Sequence, residues 1–68
     1  MKFNYDLLRE KLRNASYEQT QNISISYEDM CKVLRNERHF EAEEMLNLSE
    51  ALNIKGQEFT DCFFTLMN

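Results

Sequence analysis

The sequence predicts a single all-α domain of four or five short helices with short strand-like ends. Three observations predict it. The 68 residues include no proline and one glycine, Gly56, which suits helices better than tight hairpins. Apolar residues recur at helical spacing in several stretches separated by polar breaks. The two ends depart from that spacing: Lys2 to Tyr5 alternates polar and aromatic residues, and Cys62 to Met67 is short, apolar and β-prone.

Each element follows from its own residues. Over 6–15, Leu7, Leu8, Leu12 and Ala15 share one helix face, with Asn4 or Asp6 placed to cap the start. Over 17–23 the helical signal is weaker, because Tyr17 and Ile23 are the only large apolar residues; Ser16 is its N-cap. Ser24-Ile25 makes the turn, and Ser26 caps a helix over 27–36 whose apolar stripe is Met30, Val33 and Leu34. Residues 36–40 break the pattern and read as a loop. The helix over 41–53 is the clearest, with Ala42, Met45, Leu46, Leu48, Ser49, Ala51 and Leu52 on a broad face, and Asn53 or Gly56 placed to end it. Its first turn is crowded with Glu41, Glu43 and Glu44, where the helix dipole favours negative charge. Residues 57–62 add a further helical turn. The expected core is Leu8, Leu12, Ile23, Ile25, Met30, Val33, Leu34, Met45, Leu48, Leu52 and Phe59.

Size and charge bound the function. A domain this small buries only about 60% of its extended-chain surface, so dimerisation or a tight helical core would help it. Phe63, Phe64, Leu66 and Met67 read as core or as the interface of a homodimer; the tail pairs with Lys2–Tyr5 or with its counterpart on a second subunit. The net charge is −4, and it is unevenly placed. Residues 1–38 carry seven Lys/Arg against six Asp/Glu, whereas 39–68 carry Lys55 alone against six acids. A nucleic-acid binder usually presents a basic face, and the acidic half suits a basic protein partner better. Met1–Tyr5 lacks the apolar stretch of a signal peptide, and no apolar run reaches 18 residues, so the expectation is a cytoplasmic chain without a membrane partner.

No cofactor, metal or catalytic set is expected. Cys31 and Cys62 are too few and too far apart for a metal site, and His39, the only histidine, falls in a loop. The bland reading of Glu41, Glu43 and Glu44 is solvated first-turn acids rather than metal carboxylates. An enzyme needs titratable groups converging in a pocket, and nothing in the chain suggests them.

Residues 25–52 resemble, without a gap, the Cro/lambda-repressor (XRE-like) type of phage helix-turn-helix domain. The resemblance rests on Ile25, Ser26, Met30 and Val33, the loop Asn36–Phe40, and the run Leu46-Asn47-Leu48-Ser49-Glu50-Ala51-Leu52. The ends, Phe3-Asn4-Tyr5-Asp6-x-Leu8-Arg9 and Glu58-Phe59-x-x-Cys62-Phe63-Phe64-Thr65, look like those of small regulators from Gram-positive phages. The resemblance implies a four- to five-helix helix-turn-helix fold whose recognition helix begins at Tyr27. The departures fall at the working end. Gln19 precedes Thr20, reversing the usual order and leaving one core contact polar. Ser24 replaces the usual turn glycine. Tyr17 or Ser16 stands where a phosphate-binding glutamine is usual. The reading positions are Tyr27, Glu28 and Asp29, two of them acidic.

Two functions remain open. In the first, the chain is a phage antirepressor or an inhibitor of a host defence nuclease, docking on a phage repressor or host defence protein through an acidic surface that mimics DNA. In the second, it is a Cro-like regulator that binds operator duplex DNA as a dimer. Lys32, Arg35 and Arg38, with Arg9, Lys11 and Arg13, would then contact phosphates, and Glu28 could accept from cytosine N4. The expected face is the same in both: Tyr17, Gln21, Tyr27, Glu28, Asp29, Lys32, Arg35 and Arg38.

Overall fold

The computed structural model describes all of residues 1–68. Five helices follow one another: α1 (Asp6–Arg13), α2 (Tyr17–Gln21), α3 (Tyr27–Leu34), α4 (Ala42–Leu52) and α5 (Gln57–Phe63). There is no sheet. The only extended pairing is an antiparallel bridge between Phe3 and Leu66, so the strand-like ends pair with each other within the chain. No helix is long and apolar enough to cross a membrane.

Local chemistry sets where each helix starts. The Asn4 side-chain carbonyl accepts from the Asp6 N–H at 2.8 Å and opens α1. Ser16 and Gln19 form a reciprocal capping box on α2. The Ser16 hydroxyl accepts the Gln19 N–H at 3.1 Å, and the Gln19 carbonyl accepts the Ser16 N–H at 2.8 Å. The reversed Gln19-Thr20 order thus supplies a cap that the usual order would not. The Ser26 hydroxyl accepts the Asp29 N–H at 3.1 Å and starts α3 as the sequence predicts.

The helices end two residues earlier than expected at α1, α2 and α3, and one earlier at α4. At α3 and α4 the reason is a left-handed asparagine. Asn36 (φ 62°) and Asn53 (φ 57°) take the role glycine usually has after a helix. Beyond Asn36, the Glu37 N–H donates to Lys32 C=O at 2.8 Å; beyond Asn53, the Ile54 N–H donates to Ser49 C=O at 2.9 Å. Both are Schellman closures. Gly56 (φ 60°) then turns the chain into α5, a conformation L side chains rarely adopt.

Asn36 has a second task. Its side chain accepts from the Phe3 N–H at 2.8 Å and donates to the Phe3 C=O at 3.0 Å, so it clamps the start of the chain to the end of α3. Asn53 makes no such side-chain bond. Glycine at Asn53 is therefore expected to leave the melting temperature nearly unchanged. Glycine at Asn36 keeps the backbone turn but loses the clamp, at about 1–2 kcal/mol. Parallel thermal melts of the two variants check the difference.

The core gathers Tyr5, Leu8, Ile25, Met30, Val33, Leu48, Leu52, Ile54, Cys62 and Phe63, with Leu12, Ile23, Leu34, Phe40, Met45 and Phe59 packed around it. Every expected core residue is in one of these two groups. Tyr5, Ile54, Cys62 and Phe63 are additions, and all lie outside the periodic stretches of α1 to α4. Ile54 is carried inward by the α4 closure. Phe63 is joined to Phe40 edge-on at 5.4 Å and to Phe59 at 5.0 Å, and Phe40 in turn meets Tyr5 edge-on at 5.7 Å. This aromatic chain holds both ends onto the helices. Leu46 departs from expectation: it is 61% exposed, because α4 points Met45, Leu48 and Leu52 inward and turns Leu46 to the opposite side.

Pairs of helices are tied by side chains. α1 packs on α5, with Lys11 and Glu58 in an ion pair at 2.7 Å. α2 packs on α4, where Asn47 accepts from the Ser24 N–H at 2.8 Å and donates to the Asn22 C=O at 2.9 Å. One asparagine on α4 thereby fixes the turn between α2 and α3.

Candidate functional site

The turn held by Asn47 sets how α3 stands on the surface. Ser26 begins the helix, so its first residue, Tyr27, projects from the rim and is 86% exposed. Glu28, Lys32 and Arg35 follow along one side at helical spacing, and Glu28 and Lys32 pair at 3.5 Å. On α2, Tyr17 and Gln21 lie four residues apart and are both exposed. These six residues of the expected face are all at the surface, on α2, on α3 and at its C-cap Arg35, with Lys32 only half-exposed.

Asp29 and Arg38 turn another way. Asp29 is half-buried, and its charge acts on Arg38. The Arg38 guanidinium makes a two-pronged pair with the Glu44 carboxylate on α4, with both N–H···O distances 2.8 Å. Glu44 also accepts the Glu41 N–H at 2.9 Å, so it caps α4 and anchors the loop at once. The hydrogen bond from Arg38 is the main cause that holds the Glu44 carboxyl below its ordinary value.

The sign of the pH dependence follows. A carboxyl depressed in the folded chain adds stability above its ordinary value, and that stability is lost as pH falls through its folded value. Wild type is expected to melt a few degrees above Glu44→Gln at neutral pH. The gap closes as the solution is acidified through and below the ordinary carboxyl range. Melts of both proteins across that range test it.

Most cations in the chain are committed to its own carboxylates. Besides Lys11, Lys32 and Arg38, Arg9 lies 3.8 Å from Asp6 and donates to the Leu34 C=O at 2.8 Å. Arg35 meets Glu37 with both its Nε and a terminal nitrogen, at 3.0 and 3.2 Å, and this contact holds the Glu37 carboxyl below its ordinary value. Only Lys2, Arg13 and Lys55 have no carboxylate within 4.0 Å. On the acidic side, Glu10, Glu18, Asp29, Glu41, Glu43, Glu50 and Asp61 are unpaired.

The tail is divided. Phe63 is 2% exposed and belongs to the core of its own chain, whereas Phe64, Leu66 and Met67 are about half exposed. Cys62 is fully buried, and burial pushes its thiol up; Cys31 is half-buried, and both are free. His39 is exposed in the loop before α4, edge-on to Phe3 at 6.0 Å. No cluster of three His, Cys, Asp or Glu side chains is arranged to hold a metal ion.

One feature is not among those the sequence predicts. Between α1, α2 and α3 runs an apolar groove of about 400 Å³, floored by Leu12, Ile23, Ile25, Met30 and Leu34. Thr20 and Cys31 stand along it and Tyr27 stands at its edge. Beside it α2 is five residues long, presents Thr20 to the groove and leaves Tyr17 77% exposed. Thr20 stands between Gln19 and Gln21, so nothing beside it in the sequence signals the groove. No protein-family model, no curated protein and no solved structure matches this chain.

Proposed function

We propose that the chain is a protein-binding regulator on a helix-turn-helix scaffold of the Cro/lambda-repressor type, encoded by a phage and acting without catalysis. α2 and α3, with the turn from Asn22 to Ser26 between them, would be the helix-turn-helix pair. The partner is a phage repressor or a host defence nuclease, and the chain covers its basic DNA-binding face. One observation carries the reading: the cations of α3 and its loop are spent on the chain's own carboxylates, while seven acids are unpaired. A surface in that state presents negative charge and offers few cations to phosphate. Tyr17 and Tyr27 supply the exposed aromatic anchors that protein interfaces favour.

Operator binding is the alternative, and one experiment separates the two. Fluorescence anisotropy with duplex from its phage's control region is read at about 50 and about 200 mM salt, where phosphate contacts lose affinity steeply. The same duplex is then loaded with the phage repressor, or with the host nuclease, and the chain is titrated in. The expected result is no binding of the chain alone at either salt, and release of the partner protein from DNA. Tight binding at low salt that weakens many-fold at high salt would overturn the proposal in favour of operator binding.

A further inference from the structure

We propose that the groove between α1, α2 and α3 seats a basic amphipathic helix of the protein partner. The inference rests on the reading above and adds what the partner must bring to this face. Two observations carry it. The first is apolar. Leu12, Ile23, Ile25, Met30 and Leu34 floor an open groove of about 400 Å³. Tyr27 lines it with its hydroxyl against Cys31, and although the residue is 86% exposed it serves as a wall. The groove is bounded by helices, and the only extended pairing joins the two chain ends. The element that fits is therefore a helix carrying large apolar side chains at i, i+3 and i+4.

The second observation is charge. On α1, α2 and α3 the carboxylates with no cation within 4.0 Å are Glu10, Glu18 and Asp29, and the only cation with no carboxylate is Arg13. The other charges on these helices are paired, so the three elements around the groove carry a surplus of negative charge. That surplus repels an acidic helix and a second copy of the same face alike. It suits a helix whose apolar stripe is flanked by Lys and Arg, with their aliphatic stems over the rim and their charged heads at the carboxylates. The consequence concerns DNA. A basic helix held in this groove turns its cations to carboxylates instead of phosphates, and its hold on a duplex is lost.

Cys31 gives a readout inside the groove, since it is a free, half-buried thiol along it, whereas Cys62 is fully buried. The probe is a synthetic peptide of about five helical turns, with leucines on one stripe and lysines elsewhere. Its Kd for the full chain is read by fluorescence anisotropy, and alkylation of Cys31 by iodoacetamide is followed by mass spectrometry. At a peptide concentration about ten times Kd, alkylation is expected to slow about tenfold. A peptide with glutamate for every lysine is expected not to bind. A peptide of the same lysine and leucine content, with its leucines spread around the helix, is expected to leave alkylation unchanged. Thr20→Trp fills the groove from an exposed position without changing charge, and is expected to weaken the striped peptide about tenfold or more. A circular-dichroism melt checks its fold; if it is unfolded, the peptide comparison on the wild-type chain decides alone. No binding of the striped peptide overturns the proposal. So does binding without protection of Cys31, equal protection by either control peptide, or unchanged affinity in a folded Thr20→Trp. None of these results depends on the repressor or the nuclease. Release of those proteins from DNA with no protection of Cys31 therefore leaves the regulatory reading standing and overturns the groove's part in it. Protection of Cys31 without such release supports the groove's ligand and overturns the regulatory reading.

Discussion

Phe63→Ala is expected to lower the melting temperature by more than about 10 °C. Phe63 is 2% exposed and touches Phe40 and Phe59 at centroid distances of 5.4 and 5.0 Å. Removing a buried phenylalanine costs about 3–5 kcal/mol. At roughly 0.05–0.15 kcal/mol per residue, a domain of this length has about 3–10 kcal/mol in total. The loss therefore takes a large share of the stability, and it also cuts the aromatic chain that links Tyr5 to α5. Leu48→Ala, at a site with no exposed surface, is expected to cost about 2–5 kcal/mol in the same way. Phe64→Ala is the control, because Phe64 is 48% exposed and loses far less on truncation. Far-ultraviolet circular dichroism and a thermal melt of the three variants give the answer. A Phe63→Ala protein that melts within a few degrees of wild type would remove Phe63 from the core.

Glu28→Lys with Asp29→Lys is expected to abolish binding to the protein partner and to create weak, salt-sensitive binding to any duplex. The pair of changes takes the net charge from −4 to zero and reverses the sign at the start of α3. At Glu28 the change also breaks the pair with Lys32 and puts two cations side by side. At Asp29 it places a cation where the Arg38 charge is felt, so some loss of stability accompanies it. Glu28→Lys alone avoids that complication, since Glu28 is highly exposed. It is expected to weaken the partner at least tenfold while melting like wild type. Isothermal titration against the repressor or nuclease measures both variants. Unchanged affinity in the double variant would move the interface off this face.

The helices were legible in the sequence because their signals are local. Ser16 and Ser26 cap the helices they were expected to cap, and Leu8, Met30, Val33, Leu48 and Leu52 lie where a repeat of 3.6 residues puts them. What was not legible depends on distant partners. Nothing near Asn36 in the chain shows that its amide holds Phe3, 33 residues away. Arg38 reads as a free loop cation until α4 brings Glu44 to it. Leu46 reads as part of the apolar face of α4 because that face is broad, and only packing decides which edge of it is covered. The candidate face was half legible: its residues follow from periodicity, but the pairing of its cations and the groove beside it follow from tertiary packing.

The two ends of the chain are joined in a way that controls how they come apart. Met67 N–H donates to Lys2 C=O at 3.0 Å, and Asn4 N–H donates to Thr65 C=O at 2.7 Å. Because the two segments run antiparallel, force applied at the ends loads these bonds one after the other, from Met67 inward. Separation is then an unzipping rather than a shear. It halts where Tyr5 and Phe63 enter the core, 3% and 2% exposed. Opening of the ends is therefore a local event of low free energy, distinct from melting of the five helices. A fusion partner tethered to either end strains these two hydrogen bonds first and leaves the helical domain closed.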